Sequence, residues 1–189
     1  MPVSIYRVFS YLERAAKDEP GGALFVPPQG RGRIDNPSYY VAYYATLQPE
    51  AAVAEVLGAR EAGPIRPDSL RGTPLLGSSV LALATLEIAS LDAVCDLDDP
   101  KELIARGLRP SRVITRDYRL SQAWALDAFR ERGRRERIGV SWWSYYESLW
   151  TNVAIWKPRR IRLRNIEALT IEHPAVLAAA SVLRRRVAH

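Results

Sequence analysis

An arginine, a tyrosine and a glutamate follow one another at equal spacing in the first third of the chain. Arg33, Tyr44 and Glu55 lie eleven residues apart at each step. Together they offer a cation, a phenol and a carboxylate that could share one site if the fold brings them together. The alternative is a loop arginine, a core tyrosine and a solvated glutamate, because charged side chains mostly face water.

The segment that carries these residues reads as loop, strand, turn and helix. Gly30 and Gly32 flank Arg31 and free the backbone to turn there. Residues 38–46 are rich in tyrosine and bulky on both faces, which predicts a strand covered on both sides. A proline and a glutamate open the helix predicted over 49–60. A strand followed directly by a helix is the arrangement that would draw the three side chains together.

The order of these motifs resembles the RES domain, a family named for an arginine, a glutamate and a serine. The likeness consists of G-R-x-D/N-x-P, a tyrosine and P-E-x-A-x-A-E, on which Arg33, Tyr44 and Glu55 fall. The sequence I-Y-R-V-F, which contains Arg7, resembles the opening strand of the domain. The later sequence I-G-V-S-W-W-S resembles the segment that carries the family serine, which corresponds here to Ser144.

Two of these assignments have a competitor nearby in the sequence. Arg31 competes with Arg33 for the arginine position, and Ser141 competes with Ser144 for the serine position. Asn152, a little further along, is a candidate for the same role as the serine. The sequence leaves both choices open.

The resemblance implies an α+β fold like that of the ADP-ribosyltransferases and diphtheria toxin, with a mixed or antiparallel sheet and flanking helices. It implies NAD as the substrate, cleaved between nicotinamide and ribose by water or inorganic phosphate. With a protein side chain as acceptor, the same site would be a mono-ADP-ribosyltransferase. It further implies a helix-turn-helix antitoxin of the Xre type that plugs the cleft, and contact with nucleic acid only through that antitoxin. A homodimer within a cytoplasmic hetero-oligomer is compatible with it.

The resemblance also gives each residue a role toward NAD. Arg33 would hold the pyrophosphate with its planar fork, and Arg7 would add a second donor. Tyr44 would pack on nicotinamide or its ribose. Glu55 would stabilise the oxocarbenium-like cation that forms when nicotinamide leaves. Ser144 would bond the carboxamide of the substrate or orient Glu55.

The residue types present exclude several other kinds of catalytic site. His173, His189 and Cys95 are too few to assemble a zinc site of the usual ligands, so no metal is expected. They also leave no histidine-based triad, and the chain has neither a Walker loop nor G-x-G-x-x-G. Catalysis must therefore rely on Arg, Tyr, Glu, Asp and Ser. Cys95 has no disulfide partner and is interpreted as an inert core thiol in a reducing cytosol.

Length and composition predict one globular domain. The 189 residues are 48% hydrophobic and 25% charged, as in an ordinary globule. The single domain would span 1–189, with the motifs at about 6–156 and further strands and a helix in 157–189. No apolar run is long enough to span a bilayer, and no signal-peptide pattern opens the chain, so no membrane partner is expected.

Hydrophobic periodicity and capping residues predict the remaining elements. The additional strands are predicted at 3–9, 79–88, 137–143, 152–156 and 160–164, with a short strand or turn within 90–98. The additional helices are predicted at 100–106, capped by Asp99, at 119–133, capped by Ser121, and at 174–186, with Arg184, Arg185 and Arg186 in its last turn.

Charge is unevenly distributed, which favours one of two rival interpretations. The net charge is +6, and residues 157–189 hold 8 basic and 2 acidic side chains. Such a surface could meet an anionic ligand, an acidic protein or a nucleic acid. A nucleic-acid-binding module would bind in a strongly salt-dependent way and would not need Glu55. An interaction scaffold with a decayed active site would leave cellular NAD unchanged.

Overall fold

The chain folds as one mixed β-sheet with helices packed against it. A computed structural model describes residues 1–60, 62–131, 137–156 and 158–189. The seven strands in these ranges are β1 (Val3–Tyr11), β2 (Tyr43–Thr46), β3 (Val80–Ile88), β4 (Val94–Asp96), β5 (Gly139–Trp143), β6 (Thr151–Ile155) and β7 (Arg162–Ala168). The five α-helices in the same ranges are α1 (Pro49–Gly58), α2 (Pro100–Ala105), α3 (Pro110–Val113), α4 (Tyr118–Arg130) and α5 (Pro174–Val182), beside 3₁₀ turns at Pro67–Leu70, Pro74–Leu76 and Pro158–Arg160.

The strands lie in the order β4-β5-β6-β2-β1-β3-β7. Neighbouring strands are antiparallel except β4 and β5, which pair in parallel. The predicted α+β class, with a mixed sheet and flanking helices, is therefore confirmed. None of the helices in the described ranges is long and apolar enough to cross a bilayer.

The two central strands, β1 and β2, pair at a single position and then separate. Tyr6 lies opposite Thr46, and the ladder does not continue to the next positions, where Arg7 and Val8 would meet β2. By contrast, β1 pairs with β3 along its whole length, from Val3 to Tyr11. The sheet is therefore continuous on one side of β1 and opens on the other.

One face of the sheet carries two separate hydrophobic clusters. The first packs α1 and α5 against β1 and β3 and includes Val8 and Leu83. The second packs α4 against β5 and β6 and includes Trp142 and Trp156. A third cluster covers the opposite face, around Tyr43. The two clusters on the helical face stand on either side of the opening between β1 and β2.

Helix α1 begins where its sequence predicts. Pro49 occupies the first turn, and Glu50 places negative charge at the positive end of the helix. The buried side of the helix is built from small residues, including Ala51 and Ala54, which let it approach the sheet closely. The helix ends at Gly58.

The strand predicted over 38–46 is shorter than expected, and only Tyr43–Thr46 joins the sheet. The preceding residues turn instead, because Asn36 pairs with Tyr40 in an isolated bridge and the Tyr40 hydroxyl donates to the Ile34 carbonyl at 2.5 Å. Residues 39 and 41 are consequently exposed. The expectation that both faces of this whole segment are covered is wrong outside β2.

The helix predicted over 174–186 ends early, at Val182. Arg184 adopts a left-handed conformation with φ 53°, which stops the helix. The chain then pairs beside Ile65, and the Arg185 guanidinium donates to the Leu57 carbonyl at 2.7 Å. The three arginines are therefore outside the last turn of α5, and one of them satisfies the C-terminal end of α1 instead.

Other element boundaries differ by smaller amounts. Helix α4 starts three residues before Ser121, and the side chain of Asp117 caps it by accepting from the Arg119 N–H. The predicted end of this helix at 133 lies outside the described residues, as does Lys157. The cap at Asp99 is confirmed, since its carboxylate accepts from the Lys101 N–H at 2.9 Å.

The last strand, β7, begins and ends later than the predicted 160–164. Helix α3 is a single turn that the sequence pattern did not predict. Cys95 lies fully buried in the α4 cluster, and burial raises the pKa of its thiol to about 12. A thiol that stays protonated at neutral pH is a poor nucleophile.

Candidate active site

A cleft of about 430 Å³ opens on the helical face of the sheet, where β1 and β2 separate. Its walls come from β1, β2, β5, β6, α1 and the start of α4, together with the loop before β2 and the loop after β5. Five of the six residues singled out in the sequence line it, namely Arg7, Arg33, Tyr44, Glu55 and Asn152. The sixth, Ser144, lies in contact with Glu55.

The carboxylate of Glu55 is fixed by two side chains from distant parts of the sequence. The Ser144 hydroxyl donates to Glu55 Oε1 at 2.7 Å, and the Asn152 amide donates to the same oxygen at 2.8 Å. No described residue donates to Oε2. One oxygen of the carboxylate is thus oriented by the protein, and the other is left for a ligand in the cleft.

The serine that contacts Glu55 is itself held at the end of β5. The backbone N–H of Ser144 donates to the Trp150 carbonyl at 2.7 Å, and its hydroxyl oxygen accepts from the Tyr146 N–H at 3.2 Å. Ser141 instead donates to Asp96 Oδ1 at 3.0 Å, at the β4 edge of the sheet. Of the two competing serines, the structure therefore brings Ser144 to the carboxylate.

A close contact sets the distance between α1 and the loop after β5. A Cβ added to Gly58 would lie 2.4 Å from the ring of Tyr146, so any other residue at this helix end would have to displace that ring. Burial, and next the negative charge of Glu55, raise the pKa of the Tyr146 hydroxyl. Tyr146 was not predicted from the sequence as a site residue, and the glycine at the end of α1 was the available signal.

Arg33 is anchored at one edge of its guanidinium group. Its Nη1 donates to the carbonyls of Val113 and Thr115, at 3.0 and 2.6 Å, and the group lies 5.2 Å from the ring centroid of Tyr118. Within the described ranges no carboxylate pairs with it, and its Nη2 and Nε have no protein acceptor. A guanidinium held in this way presents its remaining N–H groups to an anion.

Arg31 also lines the cleft, but the protein does not hold it in the same way. Its side chain is exposed, and no described residue forms a hydrogen bond or an ion pair with its guanidinium group. The structure therefore places both competing arginines at the cleft and fixes only Arg33.

Tyr44 contributes its ring to the cleft, while its hydroxyl organises the arginine loop. The hydroxyl donates to Asp35 Oδ1 at 2.7 Å and accepts from the Ile34 N–H at 3.0 Å. Burial, and next the bond to Asp35, raise the pKa of Tyr44 well above its usual range. The hydroxyl is thus fully used within the protein, so the ring is the part of Tyr44 that can meet a ligand.

Asp35 ties the glycine-rich loop together and was not assigned a role from the sequence. It is buried, and its Oδ2 accepts from the backbone N–H groups of Gly30 and Gly32, at 2.8 and 2.7 Å. A Cβ at position 32 would lie 2.6 Å from both Asp35 Oδ1 and the Tyr44 hydroxyl. Gly32 is therefore required for this close packing beside Arg33.

Changing Tyr44 to Phe is expected to loosen this loop. The substitution leaves Asp35 Oδ1 and the Ile34 N–H without their partner, which costs about 1–3 kcal/mol of unfolding free energy. Denaturant unfolding measures this loss. Tyr11→Phe is the matched control, because no described residue bonds the Tyr11 hydroxyl. Equal stability of the two variants would contradict the assigned role of the Tyr44 hydroxyl.

Arg7 lies at the point where β1 leaves β2. Its Nη1 donates to the Phe25 carbonyl at 2.8 Å, and the guanidinium group sits 4.5 Å from the ring centroid of Tyr43. Arg7 therefore fixes the segment that follows β1 while it lines the cleft. Its expected role as a second donor has to be fulfilled by the nitrogens that this contact leaves free.

Positive side chains outnumber negative ones in the cleft. The described residues that line it include three cations, Arg7, Arg31 and Arg33, and a single carboxylate, Glu55. Such a cleft can bind a dianionic group and stabilise one positive centre beside the carboxylate. Among the described residues, no three His, Cys, Asp or Glu side chains are grouped so that they could hold a metal ion.

Comparisons with known proteins agree with this architecture. A family model described as the RES domain matches residues 4–177. No curated protein matches the chain. The fold is similar to a chain in the crystal structure of the M. tuberculosis MbcT–MbcA toxin–antitoxin complex, with a TM-score of 0.59 and 18% sequence identity, over 97% of this chain and 90% of that chain. The ADP-ribosyltransferase-like fold expected from the sequence is confirmed.

Proposed function

The chain belongs to the RES domain family, and on that basis we propose that it is the toxin of a toxin–antitoxin system and degrades NAD by cleaving the nicotinamide–ribose bond. The observation that carries this proposal is the carboxylate of Glu55, oriented by Ser144 and Asn152 in a cleft that also presents an anchored arginine. The whole chain, 1–189, acts as one domain in this proposal.

The charges of NAD match those of the cleft. The diphosphate carries two negative charges, and the nicotinamide ring carries one positive charge. Arg33, with its free N–H edge, binds the diphosphate, supported by the other cleft arginines. The ring of Tyr44 packs on nicotinamide or its ribose. Glu55 then lies beside the ribose carbon from which nicotinamide leaves.

Cleavage breaks the bond between the nicotinamide nitrogen and C1′ of the ribose. The bonding electron pair moves to the ring nitrogen, which neutralises nicotinamide and needs no general acid. Positive charge develops on the ribose, and Glu55 Oε2 stabilises it. Water or inorganic phosphate then attacks C1′ and loses a proton to solvent. This sequence uses no histidine and no metal ion.

A product assay tests the proposal and identifies the acceptor. The purified chain is incubated with NAD, with and without inorganic phosphate, and its products are separated by mass. We expect free nicotinamide in both reactions. ADP-ribose accompanies it where water is the acceptor, and the 1″-phosphate of ADP-ribose replaces ADP-ribose in the reaction with phosphate if phosphate is the acceptor. ADP-ribose found attached to protein would identify a mono-ADP-ribosyltransferase. If no nicotinamide is released under any condition, the proposal fails, and salt-sensitive nucleic-acid binding becomes the interpretation to pursue.

The partner in this proposal is a helix-turn-helix antitoxin of the Xre type, through which alone the complex contacts DNA. The similar crystal structure is that of a toxin–antitoxin complex. Tyr118 and Tyr145 line the cleft and are exposed. Leu120 and Leu149, which are close to them in sequence, are also exposed. Exposed apolar side chains of this kind are typical of protein-binding surfaces. In a cytosol that contains NAD, the toxin must be held inactive by such a partner.

Co-expression with a helix-turn-helix protein encoded next to this chain tests the partner. The two should co-purify, and NAD cleavage should be suppressed in the complex. Leu149→Glu should weaken the complex roughly tenfold or more, because it buries a charge against the partner. Leu177→Glu is the matched control, an equally simple change of an exposed leucine on α5. Equal affinity of both variants would place the antitoxin elsewhere on the surface.

A further inference from the structure

A second cavity adjoins the catalytic cleft and shares part of its wall. This side cavity has a volume of about 350 Å³. Four residues line both spaces, namely Arg7, Arg31, Gly32 and Tyr44. The glycine-rich loop and its arginine therefore stand between two cavities, each in the size range of a small-molecule site.

The side cavity has a wall that is apolar and held in place. Val26, Pro27 and Pro28 form its apolar part. The next residue, Gln29, fixes this segment by two hydrogen bonds with the backbone of Ala42, a donation to the carbonyl at 2.5 Å and an acceptance from the N–H at 2.7 Å. Because this wall is already ordered in the free protein, ligand binding does not carry the entropy cost of ordering it.

The two cavities differ in their chemistry. Glu55 lines the catalytic cleft and does not line the side cavity. In the side cavity the carboxylate present is that of Asp35, whose oxygens already accept from Gly30, Gly32 and Tyr44. The side cavity thus has an apolar wall and the edge of Arg31 with which to bind a ligand. The carboxylate that lines it is already bonded within the protein and is not free to act on a substrate.

We propose that the side cavity binds the adenylyl half of the dinucleotide. This inference rests on the proposed function, because it takes the scissile bond to lie at Glu55. A dinucleotide whose nicotinamide ribose is in the catalytic cleft must direct its other half away from Glu55. The side cavity adjoins the cleft at Arg31 and Gly32, which line both spaces.

The chemistry of the wall suits this assignment. Adenine is flat and apolar on its faces, so it packs against proline rings and a valine side chain. Arg31, which is exposed and has no bonding partner among the described residues, stands where the diphosphate would pass from one cavity to the other. In this arrangement Arg33 holds the diphosphate on the nicotinamide side, and Arg31 holds it on the adenylyl side.

Titration with AMP tests the site without any catalytic step. AMP is added to the wild type, to Pro28→Trp, which fills the side cavity with an indole, and to Pro20→Trp. Pro20 is an exposed proline in the turn after β1 and lines neither cavity. Binding should weaken about tenfold or more in Pro28→Trp and stay unchanged in Pro20→Trp.

The outcomes separate this inference from the proposed function. Absence of AMP binding to the wild type, or equal binding to Pro28→Trp and Pro20→Trp, would overturn the adenylyl site even if NAD is cleaved. Binding of AMP in this pattern, with no release of nicotinamide from NAD, would retain the adenylyl site and refute the cleavage reaction. Unfolding curves of both tryptophan variants establish that each is folded.

Discussion

Glu55→Gln is expected to lower the rate of NAD cleavage by about 10²–10³-fold, which corresponds to about 3–4 kcal/mol of lost transition-state stabilisation. The effect is large because Glu55 is the single carboxylate among the described residues that line the cleft. Glutamine retains an oxygen that can accept from Ser144 and Asn152. The fold should therefore persist while the negative charge beside the ribose is lost.

The measurement is kcat for nicotinamide release by the wild type, Glu55→Gln and Glu50→Gln. Glu50 lies in the first turn of the same helix and does not line the cleft, so it controls for the loss of a carboxylate from α1. In cells, the wild type and Glu50→Gln should deplete NAD, and Glu55→Gln should spare it. Normal kcat in Glu55→Gln would remove Glu55 from the mechanism.

Arg33→Lys is expected to raise KM for NAD by roughly 10–100-fold, although the charge is kept. Lysine cannot bond the Val113 and Thr115 carbonyls and the diphosphate at once, whereas the guanidinium fork can. A hydrogen bond to a charged group contributes about 1.5–3 kcal/mol, and this substitution removes at least one. The effect should appear in KM more than in kcat, since the diphosphate does not change charge during cleavage.

Arg14→Lys is the matched control, because Arg14 is exposed and lines neither cavity. Arg31→Lys should raise KM less than Arg33→Lys, because the protein does not hold the Arg31 guanidinium in one orientation. This comparison decides which arginine fills the family position. A larger effect at Arg31 than at Arg33 would reverse the assignment made from the geometry.

The convergence of site residues could be anticipated because the segment from the arginine loop to α1 is local. A strand followed directly by a helix leaves few ways to arrange Arg33, Tyr44 and Glu55. The order of the motifs then indicated the family, and with it a shared site for these residues. The contact of Ser144 with Glu55 joins residues 89 positions apart. No periodicity predicts such a contact, so here only the resemblance pointed to the serine.

The role of the Tyr44 hydroxyl could not be foreseen in the same way. Whether a phenol faces a ligand or an internal acceptor depends on which polar groups the fold buries beside it. Here the acceptor is Asp35, brought close by a turn of glycines. The resemblance implied that Tyr44 packs on a ligand, and it gave no role to Asp35, which lies in the same motif.

The errors in element boundaries also have a physical cause. Propensity extended the strand back to residue 38 and the last helix forward to residue 186. Tertiary hydrogen bonds decided otherwise, since Tyr40 bonds Ile34 and Arg185 bonds the end of α1. Local preferences are small compared with such bonds and with burial, so the ends of elements are the least predictable part of a fold.

The paired donors on Glu55 Oε1 have a thermodynamic consequence. A free glutamate side chain samples many rotamers, and confining it costs about 1–2 kcal/mol in entropy. Ser144 and Asn152 confine it in the unliganded protein. The entropy loss therefore lowers the free energy of unfolding and does not add to the activation free energy of cleavage. Removal of both donors together should therefore make the activation entropy of cleavage more negative, while the intrinsic charge of the carboxylate is unchanged.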